Sequence, residues 1–122
     1  MSLEPKIMAR LKAQVPAVSE RVYFNVATQG VTRPYLVVSK VSDTREYAHD
    51  GYSGIRRPRI QVSVYGDAYV QANMAAAEVI AAMESWQADG IRFAPAAGMM
   101  DIYEEDTGLH HVPVDFFIHY DE

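Results

Sequence analysis

The sequence contains no cysteine among its 122 residues. That absence excludes disulfide scaffolds, thiolate zinc sites and cysteine nucleophiles. Long apolar runs are missing as well, since the longest uncharged apolar stretch lies within residues 68–83 and is shorter than the ~20 residues that a membrane span needs. Charges at Glu4, Lys6, Arg10 and Lys12 interrupt the N-terminus. We therefore expect neither a secretory signal nor a transmembrane helix, which is compatible with a cytoplasmic protein.

Basic residues are nearly missing from the second half of the chain. Residues 1–66 contain ten Lys or Arg and five Asp or Glu, a net charge of +5, whereas residues 67–122 contain one Arg and eleven acids, a net charge of −10. The overall charge of −5 disfavours nucleic-acid binding, which depends on clustered cations. Two oppositely charged faces would let neighbouring copies meet head to tail and close a ring. The alternative is that both halves interleave in one sheet and neutralise each other.

Composition and length predict one folded domain over residues 1–122. Hydrophobic residues make up 49% and charged residues 22% of the chain, which is ordinary for a globular protein. Single cores usually organise about 100 to 200 residues, and the chain shows neither repeats nor linkers. Two helices are predicted. Residues 4–14 carry apolar side chains at helical spacing before Pro16, and residues 68–87 carry a stripe that starts with alanines and ends at Trp86.

Six segments predict β-strands. Three precede the second helix, within residues 21–27, 35–45 and 54–66, and three follow it, as IRFAP, GMMDIYEED and HHVPVDFFIHYD. In the last segment Val112, Val114, Phe116, Ile118 and Tyr120 alternate onto the core face. Pro113 suggests that this strand is at an edge or contains a bulge. The polar stretch of residues 46–54, EYAHDGYSG, predicts a loop longer than a tight hairpin.

This order, α-β-β-β-α-β-β-β, predicts an α+β fold. We expect a mainly antiparallel sheet of about five to six strands with both helices packed on one side.

The sequence has no motif for catalysis or cofactor binding. Its serines lie outside any G-x-S-x-G context, and neither a G-x-G-x-x-G nor a Walker sequence occurs. His111, Asp115 and His119 alternate onto one face of the last predicted strand, but without a second cluster this spacing is more typical of solvent-facing polar residues than of metal ligands. The acidic run DIYEED is typical of a solvated strand end. We therefore predict no enzyme, no cofactor and no bound metal.

The basic stretch GIRRPR, residues 54–59, places Arg56, Arg57 and Arg59 at the start and on the solvent side of a strand. Three partners stay open: the phosphate backbone of a nucleic acid with nearby tyrosines for stacking, carboxylates of the same molecule, or another protein. Arginine and tyrosine are enriched at protein interfaces. The acidic C-terminal half favours protein over DNA as the partner, and Phe117 on the polar face of the last strand agrees with that choice.

The order and content of these segments resemble the tail completion proteins of long-tailed bacteriophages and prophages. The resemblance rests on VPAVSERVYFNVATQGVTRPYLVVSKVS after the first helix, on RRPRIQVSVYGDAYVQANMAAAEVIAAM, and on the terminal strand VPVDFFIHYDE. It covers nearly the whole chain. Its specific features are RVY before a Pro-Tyr-hydrophobic strand, and a basic, alternating strand that runs straight into an alanine-rich helix.

The resemblance implies a structural role in a ring, typically a hexamer, at the head-proximal end of the tail tube. Such a ring ends growth of the tube and joins it to the head connector. The implied partners are further copies of the chain, the tail tube protein and the head connector protein, and the implied location is the host cytoplasm during assembly and then the virion. DNA passes through such a ring without being specifically bound. An acidic protein suits that passage because it repels DNA.

On this basis we expect intersubunit or connector contacts between opposite charges. The cations are Arg56, Arg57 and Arg59, and the candidate partners on the neighbouring subunit are Asp101, Glu104, Glu105 and Asp106, with Phe117 as a further contact residue. The alternative from another class of function is a small cytoplasmic ligand-binding or regulatory domain that uses the sheet face with Asp115, Phe117 and His119.

Overall fold

The computed structural model describes residues 3–18, 21–27, 32–48, 51–86, 91–93, 96–99, 102–104 and 108–121, with the backbone alone for residues 3–4, 42–48, 51–57, 92–93, 97, 99, 104 and 120–121. Two α-helices and a short 3-10 helix, Pro16–Val18, accompany the strands. The helices are α1 Leu3–Gln14 and α2 Tyr69–Glu84. The strands are β1 Val22–Phe24, β2 Tyr35–Ala48, β3 Gly51–Gly66, β4 Ile91–Phe93, β5 Ala96–Met99, β6 Ile102–Glu104, β7 Leu109–Phe117 and β8 His119–Asp121.

The described strands form one sheet with the order β1-β2-β3-β7-β5. The short strand β6 also pairs with β7, and β8 pairs with both β3 and β4. β1 runs parallel to β2, whereas the pairings of β2 with β3 and of β3 with β7 are antiparallel. The second half of the chain therefore inserts its longest strand beside the basic strand β3.

Both helices cover the same face of the sheet. Alternate side chains of the central strands, among them Val62, Val114 and Phe116, are fully buried in one cluster with Leu11 of α1 and Val79 of α2. This is the strict alternation that a half-buried sheet requires. The side of α2 that faces the sheet consists mainly of alanine, which lets the helix backbone approach the sheet closely. Trp86 is 2% exposed and packs beyond the end of the helix.

The side chain of Arg10 on α1 connects the two helices at the carboxyl end of α2. Arg10 of α1 donates from Nε to the carbonyl oxygen of Ala82 at 3.1 Å and from Nη2 to Oγ of Ser85 at 3.1 Å. Its guanidinium carbon lies 5.9 Å from the centroid of the Trp86 ring. A positive charge at the carboxyl end of a helix is favourable because the last carbonyls carry partial negative charge. Arg10 therefore positions α1 over the end of α2.

The predicted α+β class and the two helices on one side are confirmed, as is the alternation of the last strand from Val112 to Ile118; the side chain of Tyr120 lies outside the described structure. The main path has five strands, and the short strands β4, β6 and β8 lie at its margins. The first strand is shorter than predicted because Asn25 has φ 65°, a left-handed conformation that ends it. Pro113 lies inside the sheet opposite Ser63 on β3, between the stretches of β7 that pair with β5 and with β6.

The predicted loop over residues 46–54 is wrong. β2 reaches Ala48 and β3 begins at Gly51, and the backbone register pairs Tyr47 with Tyr52 and Ala48 with Gly51. The two strands thus continue as an antiparallel pair as far as residues 48 and 51, while residues 49–50 lie outside the described structure; we call residues 42–48 and 51–57 the hairpin arm. Its polar sequence lacks the hydrophobic alternation by which strands are recognised, so only the backbone ladder reveals it.

Gly66 lets α2 start close to the end of β3. A Cβ at this position would lie 3.1 Å from the amide nitrogen of Ala72 and 3.1 Å from Oε1 of Gln71. We expect Gly66→Ala to lower the free energy of unfolding by about 1–3 kcal/mol, since overpacking forces the backbone to shift. Urea unfolding followed by circular dichroism measures the change.

Gly98→Ala is the matched control, because a Cβ there meets nothing within 4 Å. It is expected to leave stability unchanged or to raise it by up to about 1 kcal/mol, by lowering the entropy of the unfolded chain. Equal effects of the two substitutions would show that the approach of α2 does not depend on Gly66.

Candidate interaction surface

An ion pair joins β3 to β7 on the sheet face opposite the helices, which we call the open face. Arg59 Nη2 donates to Oδ2 of Asp115 at 2.6 Å, and Gln61 Nε2 donates to Oδ1 of the same carboxylate at 3.2 Å. Phe117 lies opposite Arg59 in the register, with the guanidinium carbon 6.0 Å from its ring centroid. Both oxygens of Asp115 are therefore engaged inside the chain.

Arg59 is thus held largely by its own domain. Its side chain is 41% exposed and that of Asp115 is 20% exposed. Arg59 Nε is buried and has no hydrogen-bond partner among the described residues, which points that edge of the guanidinium away from solvent. Of the three partners left open by the sequence, a carboxylate of the same molecule is the one that Arg59 contacts. Phe117 beside it is 44% exposed and remains accessible to another protein.

Arg56 and Arg57 precede Arg59 in β3 and lie at the base of the hairpin arm. In the backbone register Arg57 is opposite Thr44, and Arg56 is opposite Arg45 on one side and Tyr120 on the other. The side chains of Arg56 and Arg57 lie outside the described part of the structure. Two arginine positions opposite each other on neighbouring strands are unfavourable by themselves, because like charges in cross-strand pairs repel. An anionic partner would offset that repulsion.

Glu104, the predicted acidic partner whose backbone the structure describes, lies at the opposite end of β7. Glu104 ends β6 and is paired in the register with Leu109, the first residue of β7. Arg59 is paired with Phe117, the last residue of β7. β7 spans nine residues, so at ~3.3 Å per residue these two positions lie ~26 Å apart. That distance exceeds both the reach of the two side chains and a Debye length of ~8 Å.

Interleaving of the two halves therefore neutralises charge only locally. It pairs Arg59 with Asp115, but it leaves Glu104 far from the arginines of β3. The side chain of Glu104 is not described, and Asp101, Glu105 and Asp106 lie outside the described residues. The topology thus brings Arg56, Arg57, Arg59 and Phe117 to one end of the β3–β7 pair and leaves Glu104 at the other.

A row of stacked rings crosses the open face, and the sequence did not predict it. Tyr35 stacks on Tyr65 with 5.0 Å between ring centroids, and Tyr65 stacks on His111 at 4.3 Å. Tyr23 meets the edge of Tyr35 at 6.2 Å. These rings cover one another's faces, so Tyr65 is not available for the base stacking considered above. Finding the row from sequence would have required the register that places residues 35, 65 and 111 side by side.

A cavity of about 180 Å³ opens where α2 begins. It is lined by Tyr69, Ile102, Tyr103, His110, His111 and Val112. Among the residues with described side chains, no three His, Asp or Glu lie close enough to hold a metal ion. Within the same part of the chain, no helix has the length and apolar character needed to cross a membrane.

Comparison with known proteins adds a family and a fold. The family model described as "Tail completion protein gp17" matches residues 5–121. A solved structure from the "Virion of native gene transfer agent (GTA) particle" superposes with a TM-score of 0.82 at 16% sequence identity, covering 99% of this chain and 96% of that chain. At that identity the likeness shows a shared fold. No curated protein matches the sequence significantly.

The Arg59–Asp115 pair is expected to couple more strongly than an exposed pair. In a double-mutant cycle of Arg59→Ala and Asp115→Ala, we expect a coupling energy of about 1 kcal/mol or more, because Asp115 is largely removed from solvent. Urea unfolding of the four proteins measures it.

The control cycle uses Arg33 and Asp67, an ion pair whose side chains are 38% and 59% exposed. Its coupling should stay below about 0.5 kcal/mol. If the two cycles give the same energy, burial of Asp115 does not strengthen the pair, and Arg59 is as free to meet an external partner as a surface arginine.

Proposed function

The chain belongs to the tail completion protein gp17 family, and from this premise we propose that it is a non-catalytic ring subunit joining the tail tube to the head connector. Membership of the family gives it a structural role in the phage virion. The ring, its hexameric state and the contact with the connector are the proposal. Its other partners are the tail tube protein and the connector protein, and DNA passes through the ring without specific binding.

The separation of charge along β7 supports this proposal most directly. Glu104 and Arg59 occupy register positions at the two ends of a nine-residue strand, so the acidic end of one copy cannot pair with the basic end of the same copy. It can pair with the basic end of another. A contact between two different surfaces of identical subunits is heterologous, and heterologous contacts generate rings when the rotation closes.

In this arrangement the hairpin arm of one subunit meets the β6 edge of the next. Arg56 and Arg57 supply the cations, and Glu104 with its sequence neighbours Asp101, Glu105 and Asp106 supplies the anions. Arg59 contributes indirectly, because its bond to Asp115 ties β3 to β7 at the base of the arm. Phe117 gives the basic end an exposed aromatic ring, a residue type enriched at interfaces.

Charge reversal at Arg57 tests the contact while leaving the Arg59–Asp115 pair intact. We expect Arg57→Glu to weaken self-association at least tenfold, because it places a like charge opposite the acidic run of the neighbour. The charge swap Arg57→Glu with Glu104→Arg should restore it. Native mass measured by light scattering over a concentration series, at low and high salt, gives the result.

Lys12→Glu is the matched control, since Lys12 is an exposed cation of α1 and its reversal changes the net charge equally. It should leave the native mass unchanged. Should Arg57→Glu assemble like the wild type, the arginines of the arm do not form the contact. Where the free wild-type chain is a monomer, the same variants are compared for binding to purified tail tubes, and equal binding would contradict the proposal.

A further inference from the structure

An uncharged apolar surface lies exposed where α2 begins. It consists of Tyr69, Val70 and Met74 on α2 with Ile102 and Tyr103 on β6, and we call it the α2–β6 patch. Val70 is 64% and Met74 is 62% exposed. The ring of His110 links the two elements, with centroids 6.3 Å from Tyr69 and 5.1 Å from Tyr103. The rings thus connect the start of α2 to the edge strand at Tyr69, and Val70 and Met74 lie on the adjoining outer side of the helix.

The outer side of α2 carries apolar side chains over its first three turns, with Asn73 at its margin. Val70, Met74, Ala77 and Ala81 recur at helical spacing and are all exposed. The first charged residue of the helix is Glu78, whose carboxylate accepts a hydrogen bond from the backbone N–H of Ala17 at 3.3 Å. The solvent-facing side of a surface helix is normally polar or charged, so exposed apolar residues at helical spacing there are unusual. The outer side of α2 therefore has the character of a surface that another protein covers.

A second exposed apolar surface lies at the far edge of the sheet. Phe24 ends β1 and is 40% exposed, and Val26 just after it is 78% exposed. Asn25 between them is left-handed, and its N–H donates to the carbonyl oxygen of Val38 at 2.9 Å while the N–H of Val26 donates to that of Phe24 at 2.8 Å. These bonds fix the two apolar side chains at the edge, and we call Phe24 and Val26 the β1 patch.

The two patches are on opposite edges of one sheet. β2, β3 and β7 lie between β1 and β6, so four inter-strand spacings of ~4.8 Å separate the edges by ~19 Å. Among the described strands, β1 has a partner only in β2 and β6 only in β7, which leaves one side of each without a neighbour. Exposed apolar edge strands are a liability in a solitary protein. One copy cannot cover both patches by itself.

We propose that the β1 patch of one copy docks on the α2–β6 patch of the next copy. The inference rests on the proposed ring. The charges are displaced toward the same two edges, because the hairpin arm begins on β2 four residues beyond Val38, the last β2 residue paired with β1, and Glu104 ends β6. The apolar contact and the charged contact thus run in the same direction around the ring. A second copy of the chain therefore offers both the apolar and the basic surface that the α2–β6 edge would bind.

Site-specific cross-linking tests this pairing, since the chain contains no cysteine. Val26→Cys and Met74→Cys are made as separate proteins, one of them enlarged by an affinity tag, and treated with a short bis-maleimide alone and after mixing. Docking between different edges predicts a hybrid cross-linked dimer in the mixture and none in either variant alone. Cross-linking of Met74→Cys alone would show that α2 packs on α2 of a second copy and would overturn the proposal.

A charge placed in the patch supplies a second readout. Val70→Lys is expected to weaken self-association at least tenfold, and Ala13→Lys, at an exposed position of α1, should not change it. A Val70→Lys protein that forms normal rings but fails to bind purified tail tubes would assign the patch to the tube protein and overturn the inference.

The outcomes separate this inference from the proposed function. A ring that assembles with its Arg57 dependence intact, but gives no hybrid cross-link, overturns the docking and leaves the ring. A chain that stays monomeric at its highest soluble concentration, with no hybrid cross-link, overturns the docking of a second copy. Loss of tail-tube binding in Arg57→Glu would then still support the joining role.

Discussion

The register between β3 and β7 is the constraint on which the rest of the structure depends. It places Ile60 opposite Phe116, Val62 opposite Val114 and Val64 opposite Val112, so that one face forms the sheet side of the core. The same register places Arg59 opposite Phe117 and Tyr65 opposite His111 on the other face. A slip of one residue would exchange the two faces. Core packing under α2 therefore fixes the polar pairs of the open face without any further selection for their positions.

That register also converts a charge asymmetry along the chain into a charge asymmetry in space. Inserting β7 beside β3 neutralises Arg59 with Asp115, but it keeps β6 at the far end of β7. The residual charges of the two halves are therefore displaced along the strand direction and also across the sheet from β3 to β6, while the exposed apolar residues are displaced across the sheet from β1 to β6. A molecule whose unmatched surfaces lie on different sides is suited to head-to-tail contacts, whereas a two-fold dimer needs one self-complementary surface.

Sequence patterns predicted the elements whose side chains enter the core and missed those that depend on pairing. Alternation in β7 and helical spacing in α2 follow from burial, which the sequence displays directly. The hairpin arm has no such pattern, because its strands are held by backbone bonds between polar residues such as those from Asp43 to Arg45. The partner of Arg59 and the ring row at Tyr65 required knowledge of which strands are neighbours. Local spacing contains no information on that choice.

The two contacts proposed between subunits contribute different amounts of free energy to association. An exposed ion pair contributes about 0–1 kcal/mol and is screened by salt. Burying a Val, Met or Phe side chain contributes about 1.5–3 kcal/mol when it is fully exposed beforehand, so partly exposed residues such as Val70 and Met74 contribute somewhat less each. Association costs at least about 4 kcal/mol in lost freedom of motion. A single interface is therefore marginal. Closing a ring adds one more interface without ordering another subunit, so the apolar contact stabilises the closed ring while the charges set which edges meet.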